Sequence, residues 1–235
     1  MIRGRLLFRV ILFIFIAVVS TSSMTLPAFI QDSGSNDKFV YADFEHIENG
    51  RAVSNNGGLV QIYVGQESTA PTFKGLANAS PGAPEIVRQQ GNDSNHVAFF
   101  EYSLTGPNQW ANVTLEIQGH PNKDGHAVAD DVSAYKNLSL QMYATGTDYL
   151  RVEFLSHGQG IGLDYGFPQL VIKMKPGLNT YLIPLKGLSQ PSWVEKRIDT
   201  KEVMKKLTAV SISAYCNDCT PQHGMVAVDN LVFQK

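Results

Sequence analysis

The sequence predicts an all-β protein built as an antiparallel sandwich. Short segments of alternating apolar and polar residues recur along most of the chain, separated by Gly, Pro and Asn, which is typical of strands joined by turns. Only residues 200–206 have a helix-like pattern, and no repeat of fixed length is visible. Acids stand in the first strand, at Tyr41-Ala42-Asp43-Phe44-Glu45, and in the last, at residues 225–233. This placement suggests paired terminal strands that hold a hard cation.

Turn signals divide the chain into ten predicted strands. Asn55-Asn56-Gly57-Gly58 separates the first two, and residues 65–95 are rich in Gly, Pro, Ser, Asn and Ala, which predicts a long loop. From His96 onward the alternation is sharper, with Gly, Pro or Asn between segments. The predicted strands span residues 39–46, 59–64, 96–104, 110–118, 137–144, 149–156, 168–174, 179–185, 207–215 and 224–233.

The alternation also predicts which side chains face the core. Successive side chains of a strand point to opposite faces, so the apolar set of each strand is expected inside. These inward sets are Leu138, Leu140 and Met142; Leu150, Val152 and Phe154; and Val210, Ile212 and Ala214. The opposite sets are expected on an outer surface and comprise Gln141, Tyr143, Tyr149, Arg151, Glu153, Ser211, Ser213 and Tyr215.

If these strands are neighbours in one sheet, their outer sets form a belt of aromatic and hydrogen-bonding side chains. A sugar ring has apolar C–H faces, on which tyrosine rings stack, and a rim of hydroxyl groups, which Arg, Glu, Gln and Ser bind. The pattern therefore indicates a glycan-binding face. The alternative is a set of ordinary solvated residues, because Tyr, Arg, Glu and Ser all suit exposed sheet faces.

Composition and charge narrow the class of partner. The formal net charge is -2, and only 17% of the 235 residues are charged, while 10% are aromatic. No basic stripe is present, so a nucleic-acid-binding surface is not expected. A neutral partner is favoured over a polyanion.

The first residues have the pattern of an export signal, predicted at 1–23. Arg3, Arg5 and Arg9 precede an apolar run at residues 10–19, and small residues follow it. The run is shorter than the ~20 residues that cross a bilayer, although a retained anchor is the alternative. Residues 24–38 are predicted to be a flexible lead-in, and residues 39–235 form the predicted domain of a secreted or periplasmic protein.

The two cysteines, Cys216 and Cys219, are separated only by Asn217 and Asp218. In an exported protein this spacing predicts a local structural disulfide that closes a small ring. Free thiols are the next alternative. A zinc site is the least favoured, because four ligands are needed and only His223 lies nearby.

Several short motifs occur in an order and spacing typical of a known fold. They are Asp43-Phe44-Glu45, Tyr102 followed by Trp110, Asp131-Val132-Ser133-Ala134-Tyr135, Leu150-Arg151-Val152-Glu153-Phe154, Thr180-Tyr181-Leu182-Ile183-Pro184-Leu185, and Val228-Asp229-Asn230-Leu231. With these motifs, residues 40–235 resemble the galactose-binding-like jelly rolls, and among them the family-eleven carbohydrate-binding modules of bacterial β-glucanases. The resemblance implies an antiparallel jelly-roll β-sandwich.

In that family a concave sheet binds a β-glucan through Tyr, Arg, His and acidic side chains. The resemblance implies ligand-binding roles for Arg151, Tyr102 and Tyr215. Tyr143 stands where the family has an acid, and Ile212 stands near a position where it has His. These departures leave glycan binding as the implied function without a particular β-glucan as its ligand.

Such sandwiches also commonly hold a structural calcium ion where the first and last strands meet. Calcium takes about six to eight oxygen ligands. The resemblance implies Glu45 and Asp229 as carboxylate ligands, with Asp43 as a lesser candidate. Alternatively, Glu45 and Asp229 only end strands or pair with Lys and Arg.

These features together predict an exported, monomeric, non-catalytic module that binds a polysaccharide or oligosaccharide through Tyr102, Gln141, Tyr143, Tyr149, Arg151, Glu153 and Tyr215. A polysaccharide lyase is the first alternative, with Tyr143 or Tyr215 as general acid/base and Arg151 against a uronate carboxylate. A glycoside hydrolase would need two carboxylates on one face, such as Glu101 and Glu153. A structural or adhesion module without a sugar site is the remaining alternative.

Overall fold

The computed structural model describes residues 37–48, 51–65, 68–69, 84–89, 92–105, 111–216 and 220–235. The predicted export signal, nearly all of the predicted lead-in, Trp110 and Cys219 lie outside these residues. No helix within the described ranges is long and apolar enough to cross a membrane.

Antiparallel strands form two main sheets and one short two-stranded pair. The strands are β1 (Lys38–Ala42), β2 (Ile47–Glu48), β3 (Arg51–Ala52), β4 (Val60–Val64), β5 (Ser68–Thr69), β6 (Glu85–Gln89), β7 (Asn92–Leu104), β8 (Asn112–Gln118), β9 (Asn137–Ala144), β10 (Tyr149–Leu155), β11 (Gln169–Lys173), β12 (Asn179–Pro184), β13 (Ala209–Tyr215) and β14 (Gln222–Gln234). The order in the seven-stranded sheet is β12-β9-β14-β7-β5, with β1 paired to β14 and β6 to β7. The order in the five-stranded sheet is β11-β10-β13-β8-β4, and β2 pairs with β3.

All ten predicted strands are present, with boundaries that differ by a few residues, and the predicted helix is α1 (Thr200–Met204). Asp199 caps α1 by accepting a hydrogen bond from the backbone N–H of Lys201. The prediction of an unbroken loop over residues 65–95 is wrong, because β5, β6 and the start of β7 fall within it. There, β6 pairs with β7 from Glu85↔Phe99 to Gln89↔Asn92, and such backbone pairing requires no alternating side-chain pattern.

The first and last strands pair, as the sequence predicts. β1 runs against the end of β14, from Lys38↔Gln234 to Ala42↔Leu231. β14 has an irregularity in its pairing with β9 between Asp229 and Val232, and Asn230 adopts a φ of 52° there. Asn tolerates this left-handed conformation better than most residues. The irregularity places both Val228 and Leu231 in the core and leaves Asp229 between them on the outer side of the sheet.

The core lies between the two sheets and is formed by the predicted inward sets of β9, β10 and β13, whose members are all 0% exposed. Burying one large apolar side chain in this way contributes about 1.5–3 kcal/mol to stability. At one end of the core, four rings pack with centroids 5.6 to 6.1 Å apart, and they belong to Phe39, Tyr41, Tyr135 and Phe233. These contacts fix β1 against β14.

Candidate functional site

The outer face of the five-stranded sheet carries two rows of mostly polar side chains that run across its strands. Antiparallel register sets residues opposite one another, so each row takes one residue from each strand. The first row is Gln169, Glu153, Ser211, Glu116 and Gln61, and the second is Val171, Arg151, Ser213, Thr114 and Tyr63. Period-two alternation sends the chain neighbours of these residues into the core, so both rows lie on the outer side.

All residues of these rows except Gln61 and Val171 line a groove of about 690 Å³. Ser211 and Ser213, which are 2% and 1% exposed, form its floor. Its rim includes the β10–β11 loop (residues 156–168) and the segment that follows β12 and the short 3₁₀ turn (residues 188–199). The lining residues are Tyr63, Asn112, Thr114, Glu116, Arg151, Glu153, Leu155, His157, Asp164, Tyr165, Gly166, Phe167, Gln169, Pro191, Trp193, Ser211 and Ser213. Because strands position most of the floor, the groove is largely preformed.

Arg151 is the only Lys or Arg among the described residues that line the groove. Its guanidinium carbon lies 5.1 Å from the centroid of the Tyr215 ring, which is the distance of a cation–π contact. Its Nε is buried and has no hydrogen-bond partner within the described part of the chain. Of the predicted ligand-binding tyrosines, Tyr215 contacts Arg151 without lining the groove itself, and Tyr149 lines a separate cavity beside residues 144–148.

Glu153 is held at the end of the groove nearest the β10–β11 loop. One oxygen of its carboxylate accepts a hydrogen bond of 3.0 Å from the backbone N–H of Phe167. Burial raises the pKa of Glu153, and the charge of Arg151 and the Phe167 N–H oppose that rise. The hydrogen bond fixes the orientation of the carboxylate and ties the loop to the sheet.

A hydroxyl pair fixes the middle of the groove. Thr114 Oγ1 lies 2.7 Å from Ser213 Oγ, and the Thr114 hydroxyl also lies 3.2 Å from the Asn112 side-chain oxygen to which it donates. These bonds set the rotamers of side chains on neighbouring strands β8 and β13. The groove thus offers oriented donors and acceptors at low further cost in side-chain entropy.

Several lining residues were not predicted from the sequence. Tyr63, Thr114 and Glu116 are in predicted strands, and the same alternation that selected Arg151 could have selected them. Asp164, Tyr165 and Trp193 are in loops, where no period indicates the direction of a side chain. Ten of the seventeen lining residues are thus in strands, which have a readable pattern, and seven are in loops, which have none.

Tyr102 does not lie in the groove, so its predicted position on the ligand-binding face is wrong. It is 1% exposed in the core, and its hydroxyl donates a 2.8 Å hydrogen bond to the backbone oxygen of Thr145. The cause is the alternation of β7, in which Phe100, Tyr102 and Leu104 all face inward.

Strands 137–144 and 149–156 are not neighbours in one sheet, and Gln141 and Tyr143 lie on the other sheet. The predicted place of these two side chains on the same binding face as Arg151 is therefore wrong. β9 pairs with β12 and β14, whereas β10 pairs with β11 and β13. The short connection over residues 145–148 crosses from one sheet to the other. Gly146 has a φ of 77° in this crossing, and a Cβ there would meet the backbone oxygen of His223 at 2.0 Å. Any larger residue would force that backbone apart.

The carboxylate pair of the hydrolase alternative is also separated. Glu101 lies between the core residues Phe100 and Tyr102 of β7, so it faces outward from the seven-stranded sheet. Glu153 faces outward from the five-stranded sheet. The two side chains lie on opposite outer faces of the sandwich, so the structure does not bring together the carboxylate pair that the hydrolase alternative needs.

A second polar cluster lies near the junction of β1 and β14, and Asp229 is its most buried member, with 0% exposure. Its Oδ1 accepts a 2.7 Å hydrogen bond from the Asn230 N–H, and its Oδ2 accepts bonds of 3.0 and 3.2 Å from the Asn230 and Asn95 amides. Burial raises the pKa of Asp229 to about 8, and nearby Glu45 and Asp43 add to the rise against these hydrogen bonds. Asp229 is thus an acid whose charge is poorly compensated.

Glu45 and Asp43 have neutral or histidine partners. Glu45 accepts a 2.6 Å hydrogen bond from the His96 N–H, and its other oxygen lies 2.7 Å from His96 Nδ1. Asp43 accepts bonds of 3.1 Å from the Glu45 N–H and 2.9 Å from the Asn55 amide. Both Asp43 oxygens are thereby committed to holding the local turn.

The groups of this cluster that could bind a cation are oxygens, which are the ligands that calcium prefers. Among the described residues no three His, Cys, Asp or Glu side chains converge closely enough to hold a metal ion. The three predicted ligands therefore do not form a complete set by themselves. A cation that fits here would bind between Glu45 and Asp229 and take further oxygens from amide and backbone carbonyl groups.

The predicted disulfide stays a prediction, because Cys219 lies outside the described residues. Cys216 directly follows β13, is buried at 5% exposure, and donates its backbone N–H to the Ala111 oxygen at 2.8 Å. This hydrogen bond anchors the backbone at the end of β13.

No protein-family model and no curated protein matches this sequence. Among solved structures, the family 11 carbohydrate-binding module of the cellulosomal cellulase Lic26A-Cel5E of Clostridium thermocellum is 15% identical, with a TM-score of 0.52 over 86% of this chain and 96% of that one. A family 11 module of the same organism, in complex with a β-1,3-1,4-mixed-linked tetrasaccharide, is 16% identical, with a TM-score of 0.50 over 84% and 95%. At such identity the similarity concerns the fold, and it confirms the predicted antiparallel jelly-roll sandwich.

Proposed function

We propose that this chain is an exported, monomeric, non-catalytic module that binds a neutral polysaccharide in the groove across the five-stranded sheet. The observation that carries the proposal is the convergence of Arg151, Glu153 and the Thr114–Ser213 hydroxyl pair in one preformed groove. Planar and hydroxyl groups at fixed positions suit the vicinal hydroxyls of a sugar chain. The similar family 11 module with a bound tetrasaccharide supports the proposal by analogy of fold.

The charge of the groove favours a neutral ligand over an acidic one. Glu116, Glu153 and Asp164 line it together with a single cation, Arg151. A uronate carboxylate would meet a surplus of like charge, which disfavours binding. Arg151 lines the groove, and the N–H donors of a guanidinium suit a hydroxyl or ring oxygen.

The same groove is poorly suited to the lyase alternative. A catalytic tyrosine must give up its proton during the reaction. Burial raises the pKa of Tyr215, and Arg151 opposes that rise only in part. Tyr143, the other candidate, lies on the opposite sheet and is packed beside Val97 and Ala227. Tyr215 therefore acts here as a support for Arg151 rather than as a base.

A binding screen tests this function. Soluble cellulose derivatives, mixed-linked β-glucan, xylan, mannan and agarose would represent neutral polymers, with pectate and alginate as acidic ones. We expect retention on at least one neutral polymer in affinity electrophoresis, none on the acidic polymers, and no release of reducing or unsaturated ends. Binding confined to the acidic polymers, or release of either product, would refute the proposal.

We also propose that calcium binds between Glu45 and Asp229 and stabilises the junction of β1 and β14. The buried and poorly compensated charge of Asp229 supports this site. A ligand present at 100 times its Kd stabilises a folded protein by about 2.7 kcal/mol, which for a domain of this size raises Tm by roughly 5–10 °C.

Thermal melting with excess Ca²⁺ and with a chelator tests the calcium proposal. The rise in Tm should be lost in Asp229→Asn and in Glu45→Gln and kept in Asp131→Asn, an exposed acid far along the chain. An equal response to calcium in Asp229→Asn and the unaltered chain would contradict the site.

A further inference from the structure

Two exposed aromatic rings lie side by side at the rim of the groove. Tyr165 is 69% exposed and Trp193 is 54% exposed, and their ring centroids are 5.8 Å apart with an interplanar angle of 34°. Large aromatic surfaces left this open on a protein cost free energy and often mark a binding site. This pair is called the aromatic shelf below.

The two segments that carry the shelf are tied to one another by hydrogen bonds. Lys196, three residues after Trp193, donates from Nζ to the backbone oxygens of Ile161 at 2.8 Å and Gly162 at 3.2 Å. Gln190, three residues before Trp193, donates to the Gly166 oxygen at 3.1 Å. Hydrogen bonds thus join the β10–β11 loop to the 188–199 segment on both sides of the shelf.

Further bonds stiffen the 188–199 segment itself. Gln190 also donates to the Lys196 oxygen at 3.1 Å and accepts from the Ile198 N–H at 2.8 Å. Arg197 donates to the backbone oxygens of Pro191 at 3.0 Å and Ser192 at 3.1 Å. A segment held by its own polar side chains presents Trp193 in one position, so binding to it requires little further ordering.

Gly166 allows the two rings to meet. Its φ is 74°, and a Cβ at this position would lie 2.3 Å from Val194 Cγ2 and 3.2 Å from the Trp193 ring. Glycine is the residue that tolerates both the left-handed conformation and this close approach. Because Gly166 has no side chain, the backbone beside Tyr165 can approach the Trp193 ring closely.

The shelf is continuous with the groove rather than a separate patch. Tyr165 and Trp193 line the same cavity as Arg151 and Glu153, and the Phe167 N–H that binds Glu153 lies two residues from Tyr165. From β4 to β10 the groove crosses three strand spacings, or roughly 14 Å. The shelf extends this path beyond β10, so a chain of sugar residues long enough to cross the sheet would reach it.

We propose that the aromatic shelf is a further subsite that holds the apolar face of a pyranose ring at one end of the bound glycan. The inference rests on the proposed function, because it assigns the shelf to the same ligand. Tyr and Trp rings offer apolar faces that match the C–H face of a sugar, while Asp164 beside them offers a carboxylate to its hydroxyls. The ligand is thus an extended chain with at least one ring whose C–H face is free.

Affinity for oligosaccharides of increasing length tests the shelf. Cellulose, xylan and agarose oligomers from dimers to hexamers would be titrated by calorimetry against the unaltered chain, Trp193→Ala and Tyr165→Ala. We expect each variant to lose about tenfold in affinity for the longest oligomers that bind and little for the shortest. Leu182→Ala, which removes another exposed apolar side chain at 59% exposure on the other sheet, should match the unaltered chain.

Tryptophan fluorescence gives an independent readout that does not depend on a truncation. The chain has two tryptophans, so a Trp110→Phe variant reports on Trp193 alone. A bound sugar ring should shift its emission to shorter wavelength with the same midpoint as the calorimetric titration. If Trp193→Ala does not fold, this measurement and Trp193→Phe, which keeps an aromatic face, decide the question.

The outcomes separate the two proposals. Binding that is equally tight in the unaltered chain and the shelf variants at every length, without a change in Trp193 emission, would overturn the shelf and leave the groove as the glycan site. A chain that binds none of the glycans would overturn the proposed function and the subsite with it. A length-dependent loss accompanied by the emission shift supports both.

Discussion

The outer faces of the two sheets contain similar residue types and differ in what covers them. On the seven-stranded sheet, Val97 and Ala227 are fully buried, and Tyr143 packs against them. On the five-stranded sheet, Arg151 and Glu153 line an open groove. The part of the first face around Val97 and Ala227, called the covered face below, is buried, although Leu182 on the same sheet is 59% exposed. The groove on the second face remains accessible to a ligand.

This difference shows that a tyrosine on a strand has no fixed role. Tyr102 is in the core, Tyr143 is packed on the covered face, and Tyr63 lines the groove. All three occur in strands of the same sandwich. The site is defined by which face stays uncovered, and the predictions below test that distinction from the largest expected effect to the smallest.

Replacing Tyr102 should affect folding far more than replacing Tyr63. Truncating a large buried aromatic costs about 3–5 kcal/mol, and Tyr102→Ala also leaves the Thr145 oxygen without its hydrogen bond. Tyr63→Ala, at a partly exposed position, should cost less than about 1.5 kcal/mol. Urea denaturation measures both. Similar losses in the two variants would show that Tyr102 and Tyr63 are not in different environments.

The strands and their inward faces could be predicted because period-two alternation is a local property. Leu150, Val152 and Phe154 face the core whichever strands lie beside β10. The pairing of β1 with β14 could be predicted from the acids that stand in the first and last strands. Neither prediction depends on how the chain connects one strand to the next.

Sheet membership could not be predicted in this way. The alternation of residues 137–144 and 149–156 is equally compatible with one sheet or two, and the crossing near Gly146 decides between them. The shelf was missed for another reason, because Tyr165 and Trp193 come together through loop hydrogen bonds that have no sequence period. The strand part of the groove therefore follows from the local pattern, and the loop part follows from tertiary contacts.

The second prediction concerns Asp229, the buried acid of the seven-stranded sheet. Without calcium, Asp229 has a pKa of about 8 in the folded protein, against a usual value near 4 when unfolded. The folded state then binds more protons at Asp229 between these values, so the contribution of this group to stability is greatest below about pH 4 and is lost as the pH rises toward 8. The slope for this one group is at most about 1.4 kcal/mol per pH unit.

Urea denaturation between pH 4 and 8 in a chelator measures this loss. Asp229→Asn cannot titrate and should remove this slope, whereas Asp131→Asn should keep it. The pKa of Asp131 is lowered, mainly by its hydrogen bonds with Ser133, so its stabilising effect lies above the unfolded pKa and is lost only in acid. A slope that persists in Asp229→Asn would contradict the assignment.

The third prediction compares the open and covered faces directly. Arg151→Ala removes the only Lys or Arg among the described groove-lining residues, and hydrogen bonds to charged groups are worth about 1.5–3 kcal/mol. Affinity for the bound glycan should fall roughly 10- to 100-fold. Tyr143→Ala should leave affinity unchanged, because its side chain is on the other sheet. Calorimetry on folded variants measures both, and a loss confined to Tyr143→Ala would reverse the assignment of the faces.

The smallest expected effect concerns Tyr215, which touches Arg151 from beside the groove. If its role is to hold the guanidinium by its ring face, Tyr215→Phe should bind glycan almost as well as the unaltered chain. Tyr215→Leu, which keeps an apolar side chain but no ring, should lose about 0.5–1 kcal/mol, or roughly threefold in affinity. Calorimetric titration resolves this difference. A large loss in Tyr215→Phe would instead show that its hydroxyl contacts the ligand, and the binding site would then extend past Arg151 to Tyr215.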